Sequence, residues 1–145
     1  MPIPAWVDSY VGIPFKAMGR DRSGLGCWGL VYLVYREQFG REVPPYSENR
    51  FTVYDSDEVG KLIAGEVATK WVSVDEGFEA IGDAILIRVN GWPAHIGVVV
   101  EPREKKFLHV RLGADSCVDR YDSPIWARRF AGFYRWDGEL PDEVA

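Results

Sequence analysis

The sequence predicts a single α+β domain, helices first and an antiparallel sheet after, from three patterns: one helical apolar stripe, six short β-type runs, and turn residues between those runs. The stripe comes first. Cys27, Leu30, Val31, Val34 and Gln38 fall at i, i+3, i+4, i+7 and i+11, and Gly40 follows as a C′ residue, so a buried amphipathic helix is expected over residues 27–39. Met18 to Gly26 carries Gly19, Gly24 and Gly26, the chemistry of a loop leading into a helix N-terminus. A second helix is signalled by the capping-box-like Asp55-Ser56-Asp57-Glu58, with Val59, Leu62, Ile63 and Val67 on one face. The β-type runs are Trp71–Val74, Ala84–Val89, His95–Val100, Lys106–Arg111, Cys117–Tyr121 and Phe130–Tyr134. Gly82-Asp83, Asn90-Gly91, Glu101-Pro102-Arg103 and Gly113-Ala114-Asp115 separate several of them as turns, which reads as sequential hairpins.

Length and composition bound the rest. A chain of 145 residues, 47% hydrophobic and 27% charged, has room for one core and lies far from disordered composition. Residues 1–136 read as that domain and the acidic segment 137–145 as a poorly ordered tail. Seventeen basic against 22 acidic residues give a net charge of −5, with only the short Arg103 to Lys106 cluster, so no nucleic-acid surface is expected. No segment approaches the roughly 18 apolar residues of a membrane span, and the start Met1 to Asp8 lacks a secretion-type pattern. A cytoplasmic origin and no membrane partner are therefore expected. Two cysteines, Cys27 and Cys117, are too few for a disulfide framework and have no metal-type spacing to His95 or His109, so neither a metal nor another cofactor is expected. Six Trp, seven Tyr and seven Phe exceed what a small core is expected to bury, which points to aromatics lining a groove.

One constellation can carry chemistry. A thiol at a helix N-terminus has its pKa lowered when a cation or His assists, and Cys27 stands at such a place. Its position on the apolar stripe turns it toward the sheet, where both histidines lie on expected strands. His95 and His109 flank the turn at Glu101-Pro102-Arg103. With the loop centred on Pro102 the two become directly opposed partners on one face; a one-residue change of register would separate them. Together the three residues match a nucleophile, a base and a group that orients the base. A Cys in an amphipathic helix is equally what a small core hydrophobe looks like, and Cys117 reads as a strand residue without chemistry.

Gly24-Leu25-Gly26-Cys27-Trp28-Gly29-Leu30-Val31 resembles the nucleophile helix of the NlpC-type cell-wall peptidases, papain-like cysteine enzymes whose motif reads Asp-Cys-Ser-Gly-Leu-Val. Gly82-Asp83-Ala84-Ile85-Leu86-Ile87 and Ala94-His95-Ile96-Gly97-Val98-Val99 are similar to the family's Gly-Asp-Leu-x-x-Phe and His-Val-Gly-Ile-Tyr segments. Phe107-Leu108-His109-Val110 is similar to its third element, and Trp126 to Phe133 to its closing strand; the likeness runs over residues 10–136 in the family's order. The resemblance implies a papain-like fold with Cys27 as nucleophile, His95 as general base and His109 as the residue orienting that base. It implies a peptidoglycan stem peptide as substrate, cut between D-glutamate and the following diamino acid.

The sequence also departs from the family pattern. Gly26 and Trp28 stand where relatives often carry the Asp and Ser associated with gripping a free stem-peptide amine. Phe15 stands at the place of a Tyr that lines the oxyanion side, which leaves the oxyanion to backbone N–H groups, including that of Cys27. Trp28 and Trp92, each beside an expected catalytic residue, are candidate walls of a substrate groove. The small size and the Trp after the Cys most resemble variants encoded with phage tails and gene-transfer agents, implying tail or hub proteins as partners, residence in a tail and action at the bacterial wall. Two other readings stay open: a non-catalytic structural part of a tail assembly, and the same chemistry on an acyl or amide compound outside the wall.

Overall fold

The structure, a computed structural model, describes residues 3–43, 71–89 and 92–136, with the main chain alone at 89 and 92–94. A 3-10 turn, Ala5–Tyr10, precedes a short hairpin of β1 (Arg20–Asp21) and β2 (Gly24–Leu25), which runs into helix α1 (Cys27–Gln38). Strands β3 (Trp71–Val74), β4 (Ala84–Val89), β5 (Trp92–Glu101), β6 (Lys106–His109) and β7 (Cys117–Arg120) follow, then the short helix α2 (Pro124–Ala127) and strand β8 (Phe130–Trp136). The helix expected over 55–67 and the acidic tail 137–145 lie outside the described residues. Among those described, no helix is long and apolar enough to cross a membrane.

Helix α1 keeps its expected start. Gly26 is the N-cap in an extended conformation, and no side chain caps the first turn. Leu30, Val31 and Val34 are fully buried along its inner face. At its far end the N–H groups of Phe39 and Arg41 both donate to the Tyr35 carbonyl, while Gly40 at φ +64° turns the chain away. The loop before the helix is a hairpin, not an open coil, because α1 sits directly on it. A Cβ on Gly29 would stand 1.7 Å from the Gly19 carbonyl oxygen, so only glycine lets helix and hairpin meet this closely.

The six-stranded sheet has the order β3-β8-β4-β5-β6-β7 and is antiparallel throughout. Strands β4 to β7 form the expected succession of hairpins. Strand β8 departs from it by entering between β3 and β4, and it begins at Phe130 because Trp126 belongs to α2. Alternation along each strand divides the core. Ala84, Leu86, Ile96, Val98 and Leu108 join Leu30, Val31 and Val34 of α1 in one cluster, and Ile85, Ile87, Val99 and Phe107 join Trp126 and Phe133 in a second.

Several of the described aromatics pack inside, while Phe78 is 75% exposed. Trp28, Trp71 and Trp136 form a chain of ring contacts at 6.2 and 5.1 Å, with Tyr35 on Trp71 at 5.7 Å. Trp28 is 7% exposed and belongs to the core under α1, which corrects its expected role as a groove wall. A large ring at the second helical position is drawn inward because β3 and β8 supply two further indoles for it to pack on. Trp92 starts β5, and its side chain lies outside the described residues.

Candidate active site

The β5–β6 hairpin sets the distance between the two histidines. Its register pairs Val98 with Leu108 and Val99 with Phe107, two residues displaced from a loop centred on Pro102. The turn closes on the pair Glu101–Lys106, three residues displaced, with the Arg103 N–H donated to the buried Glu101 carboxylate at 2.8 Å, and the bulge between Val99 and Glu101 takes one residue back. The expected direct opposition of His95 and His109 is thereby corrected. Continuing the register by one residue sets His109 opposite Gly97, diagonal to His95. A displacement of two preserves the face, so the rings still meet. Gly97 makes the diagonal reach possible, since a Cβ there would stand 2.8 Å from the Leu108 carbonyl oxygen and 3.1 Å from the His109 Cβ.

The result is a directed chain of hydrogen bonds. His95 Nε2 lies 2.9 Å from His109 Nδ1, and His109 Nε2 lies 2.7 Å from Asp119 Oδ2. A carboxylate only accepts, so His109 carries its proton on Nε2 and presents the Nδ1 lone pair. His95 must then donate from Nε2, which leaves its own Nδ1 unprotonated. The order Asp119, His109, His95 thus selects the tautomer that a general base needs. Asp119, which completes this series, is absent from the sequence expectations. Its signal was present: centring the next turn on Gly113 places Cys117 opposite His109, as observed, and Asp119 is then two residues along the same face.

Aromatic rings hold the imidazoles in place. Phe107 stacks on His109 at 4.2 Å, Trp126 meets the His109 ring edge-on at 5.0 Å, and Trp126 lies nearly parallel to His95 at 6.1 Å. No sequence pattern marks Trp126 for this task, because the contact is made across the sheet by a single-turn helix. Burial pushes the His95 pKa down to about 3, helped by His109 and by the charge of Arg111. His109 is lowered by burial too, while Asp119 opposes the shift. His95 is therefore a neutral imidazole at pH 7.

Cys27 opens α1 and is half-buried. The backbone N–H groups of Ile96, Trp28 and Cys27 itself act to lower its thiol pKa, and Ile96 directly follows His95 on β5. Burial nonetheless pushes the thiol pKa up, against those donors, which corrects the expected lowering at a helix start. The resting pair is thiol and neutral imidazole. The N-cap Gly26 offers no side-chain cap, and the N-terminal end of α1 favours a negative charge at this sulfur or on a bound carbonyl oxygen. Phe15, at the place where relatives carry Tyr, is bridged through its main chain to Leu25 and packs on the core.

Residues 12–135 match the NlpC/P60 family. Murein DD-endopeptidase MepS/Murein LD-carboxypeptidase of Escherichia coli K12 is 25% identical over 127 residues, covering 86% of this chain and 57% of that protein. The chain thus spans little more than half the length of this curated relative. Among solved structures, an NlpC/P60 family protein from Bacillus cereus superimposes with a TM-score of 0.67 at 20% identity, over 94% of this chain and 41% of that one. The NlpC/p60 domain of the peptidoglycan hydrolase SagA superimposes with a TM-score of 0.58 at 22% identity, over 90% of this chain and 92% of that one. These likenesses are to papain-like domains with a large antiparallel sheet.

Proposed function

This chain belongs to the NlpC/P60 family, and we propose that it is a cysteine peptidase of peptidoglycan in which Cys27 attacks, His95 moves the proton and His109 with Asp119 orients His95. The observation that carries the proposal is the hydrogen-bonded series Asp119, His109, His95, ending on β5, the strand against which the helix opened by Cys27 packs. Because thiol and imidazole both rest neutral, proton transfer accompanies attack. The Cys27 sulfur bonds to the carbonyl carbon while its proton passes to His95 Nδ1, and the carbonyl electron pair becomes an oxyanion facing the N-terminal N–H groups of α1. Collapse of that intermediate breaks the C–N bond, with the His95 proton going to the leaving amine. Water, deprotonated by the same imidazole, then splits the thioester and restores the thiol.

The stem peptide is the proposed substrate, with the bond from D-glutamate to the diamino acid as the first candidate, supported by the motif likeness. Likeness to the Escherichia coli murein DD-endopeptidase supports a second candidate, a DD bond of murein. Gly26 and Trp28 supply no carboxylate or hydroxyl beside the nucleophile, which favours substrates without a free N-terminal amine over those with one. Delivery within a phage-like tail, in contact with tail or hub proteins, is the proposed setting and is supported by the Trp following the nucleophile. Digestion of purified sacculi and defined muropeptides, analysed by mass spectrometry, tests both candidate bonds. Product formation lost in Cys27→Ala is expected, and turnover unchanged in that variant overturns the proposal. No cleavage of either bond by wild type would favour the non-catalytic tail component.

A further inference from the structure

Outside the nucleophile and base, one group of side chains has ligand chemistry that the peptidase reaction leaves partly unused. Cys117 was expected to be inert, and no metal-type grouping was expected. Strand pairing nevertheless sets Cys117 directly opposite His109, with Asp119 on the same face. Cys117 Sγ lies 3.8 Å from His109 Nε2 and 3.6 Å from Asp119 Oδ2, and the nitrogen and oxygen are 2.7 Å apart. We propose that His109, Cys117 and Asp119 form a binding site for a zinc-class divalent cation, and that its occupation switches the peptidase off by reversing the tautomers of His109 and His95.

The donor set suits such an ion. A thiolate, an imidazole nitrogen and a carboxylate oxygen are the ligands zinc takes, and three of them leave a fourth position for water. One thiolate and one carboxylate balance the double charge of the cation. Tetrahedral bonds of about 2.3 Å to sulfur and about 2.0 Å to nitrogen and oxygen require edges of roughly 3.5 Å from sulfur and roughly 3.3 Å between the other two. Both sulfur edges are within about 0.3 Å of that requirement. Only the nitrogen–oxygen edge has to open, by roughly 0.6 Å, and Asp119 has the room: its side chain is 37% exposed on the edge strand β7. His109 also has the support that a ligating histidine needs, since its other nitrogen is hydrogen-bonded to His95 and its ring is stacked on Phe107.

The switch follows from proton bookkeeping. A cation on His109 Nε2 takes that lone pair, so the proton moves to Nδ1. Nδ1 then donates to His95 Nε2, which becomes the acceptor, and the His95 proton sits on Nδ1. The base has lost its lone pair where Cys27 needs it. Each ring keeps one proton, and the Cys117 thiol releases one to solvent for each ion bound. The binding half of this inference is independent of the peptidase reading; the inhibitory half rests on it.

Co²⁺, a spectroscopic stand-in for zinc, would be titrated into the Cys27→Ala protein, so that the nucleophile cannot serve as a ligand. One ion per chain with a thiolate-to-cobalt absorption band is expected, lost in Cys27→Ala/Cys117→Ser. No binding at about 100 µM, weaker than a roughly −5.5 kcal/mol interaction, overturns the site. Binding that survives the Cys117 change places the ion elsewhere and overturns it equally. With only two histidines in the chain, the imidazole ¹⁵N spectrum of the Cys27→Ala protein reads the tautomers directly. Zinc should exchange the protonated and unprotonated nitrogens of His95, and an unchanged His95 refutes the switch. In active protein, zinc inhibition reversed by a chelator should weaken at least about tenfold in Cys117→Ser, a loss of about 1.4 kcal/mol in binding. Equal inhibition of both proteins refutes it. Peptidase failure with intact cobalt binding and ¹⁵N exchange would count against the function alone.

Discussion

Acidification from pH 7 to pH 5 should destabilise this protein through its two buried histidines. His95 has an ordinary value of 6.5 and is held at about 3 in the fold, by burial first and then by the charges of His109 and Arg111. Between those values the unfolded chain binds a proton that the folded chain refuses. Stability from this group is therefore complete above about pH 6.5 and is lost as pH falls toward 3. At pH 5 the unfolded state gains about 2 kcal/mol relative to pH 7. Any folded value well below 5 gives the same figure, so the prediction depends on burial, not on the depth of the shift. His109 adds to the loss in the same direction. Urea unfolding of the Cys27→Ala protein at pH 5, 6 and 7 measures the slope, and His95→Asn should remove about 2 kcal/mol of it. Equal stability at pH 5 and 7, or a slope indifferent to His95→Asn, would refute a buried neutral imidazole.

Three further outcomes follow from the site. In a Cys117→Ser background, iodoacetamide should label Cys27 with an apparent pKa above the roughly 8.5 of a free thiol, and a value below about 7.5 would reveal a preformed thiolate–imidazolium pair. Asp119→Asn should lower kcat by roughly ten- to a hundredfold with little change in KM. That is less than the roughly 10⁴-fold loss seen when an Asp touching the base itself is changed, because Asp119 acts through a second ring and is partly solvated. Unaltered kcat and ¹⁵N shifts would remove it from the orienting chain. Gly97→Ala pushes a methyl against the Leu108 carbonyl and the His109 Cβ, and should cost about 1–3 kcal/mol in urea unfolding together with most of the activity. A stable, fully active variant would show that the diagonal contact tolerates displacement.

Local pattern carried much of the fold. The stripe from Cys27 to Val34 located α1, and the run Ala84–Val89 located β4 to the residue, because each repeats the period of its element. Long-range placement was less legible. That β8 lies between β3 and β4 depends on pairings 43 to 65 residues apart, which no turn dictates. In the site, His95 and His109 share a face as expected but not by the expected route: the loop between Glu101 and Lys106 has four residues, which alone would separate them, and the bulge before Glu101 restores the parity, which no sequence pattern announces. Asp119 was within reach of the same pairing arithmetic. The raised Cys27 pKa was not, because helix position is visible in a sequence whereas the burial that outweighs it is not.

The place of β8 also governs when the domain can exist. Its neighbours β3 and β4 both precede it in the chain, so a nascent polypeptide that ends before Phe130 holds β4 with an open edge and β3 with no sheet partner. The long-range pairing that unites them forms only after nearly the whole domain has been synthesised, a slow step by its contact order. Until then the unpaired margin of β4 is a template for strands of other chains. The sheet around the site is thus complete only once β8 has joined it, and removal of residues 130–136 should yield an aggregating chain in place of a merely weakened domain.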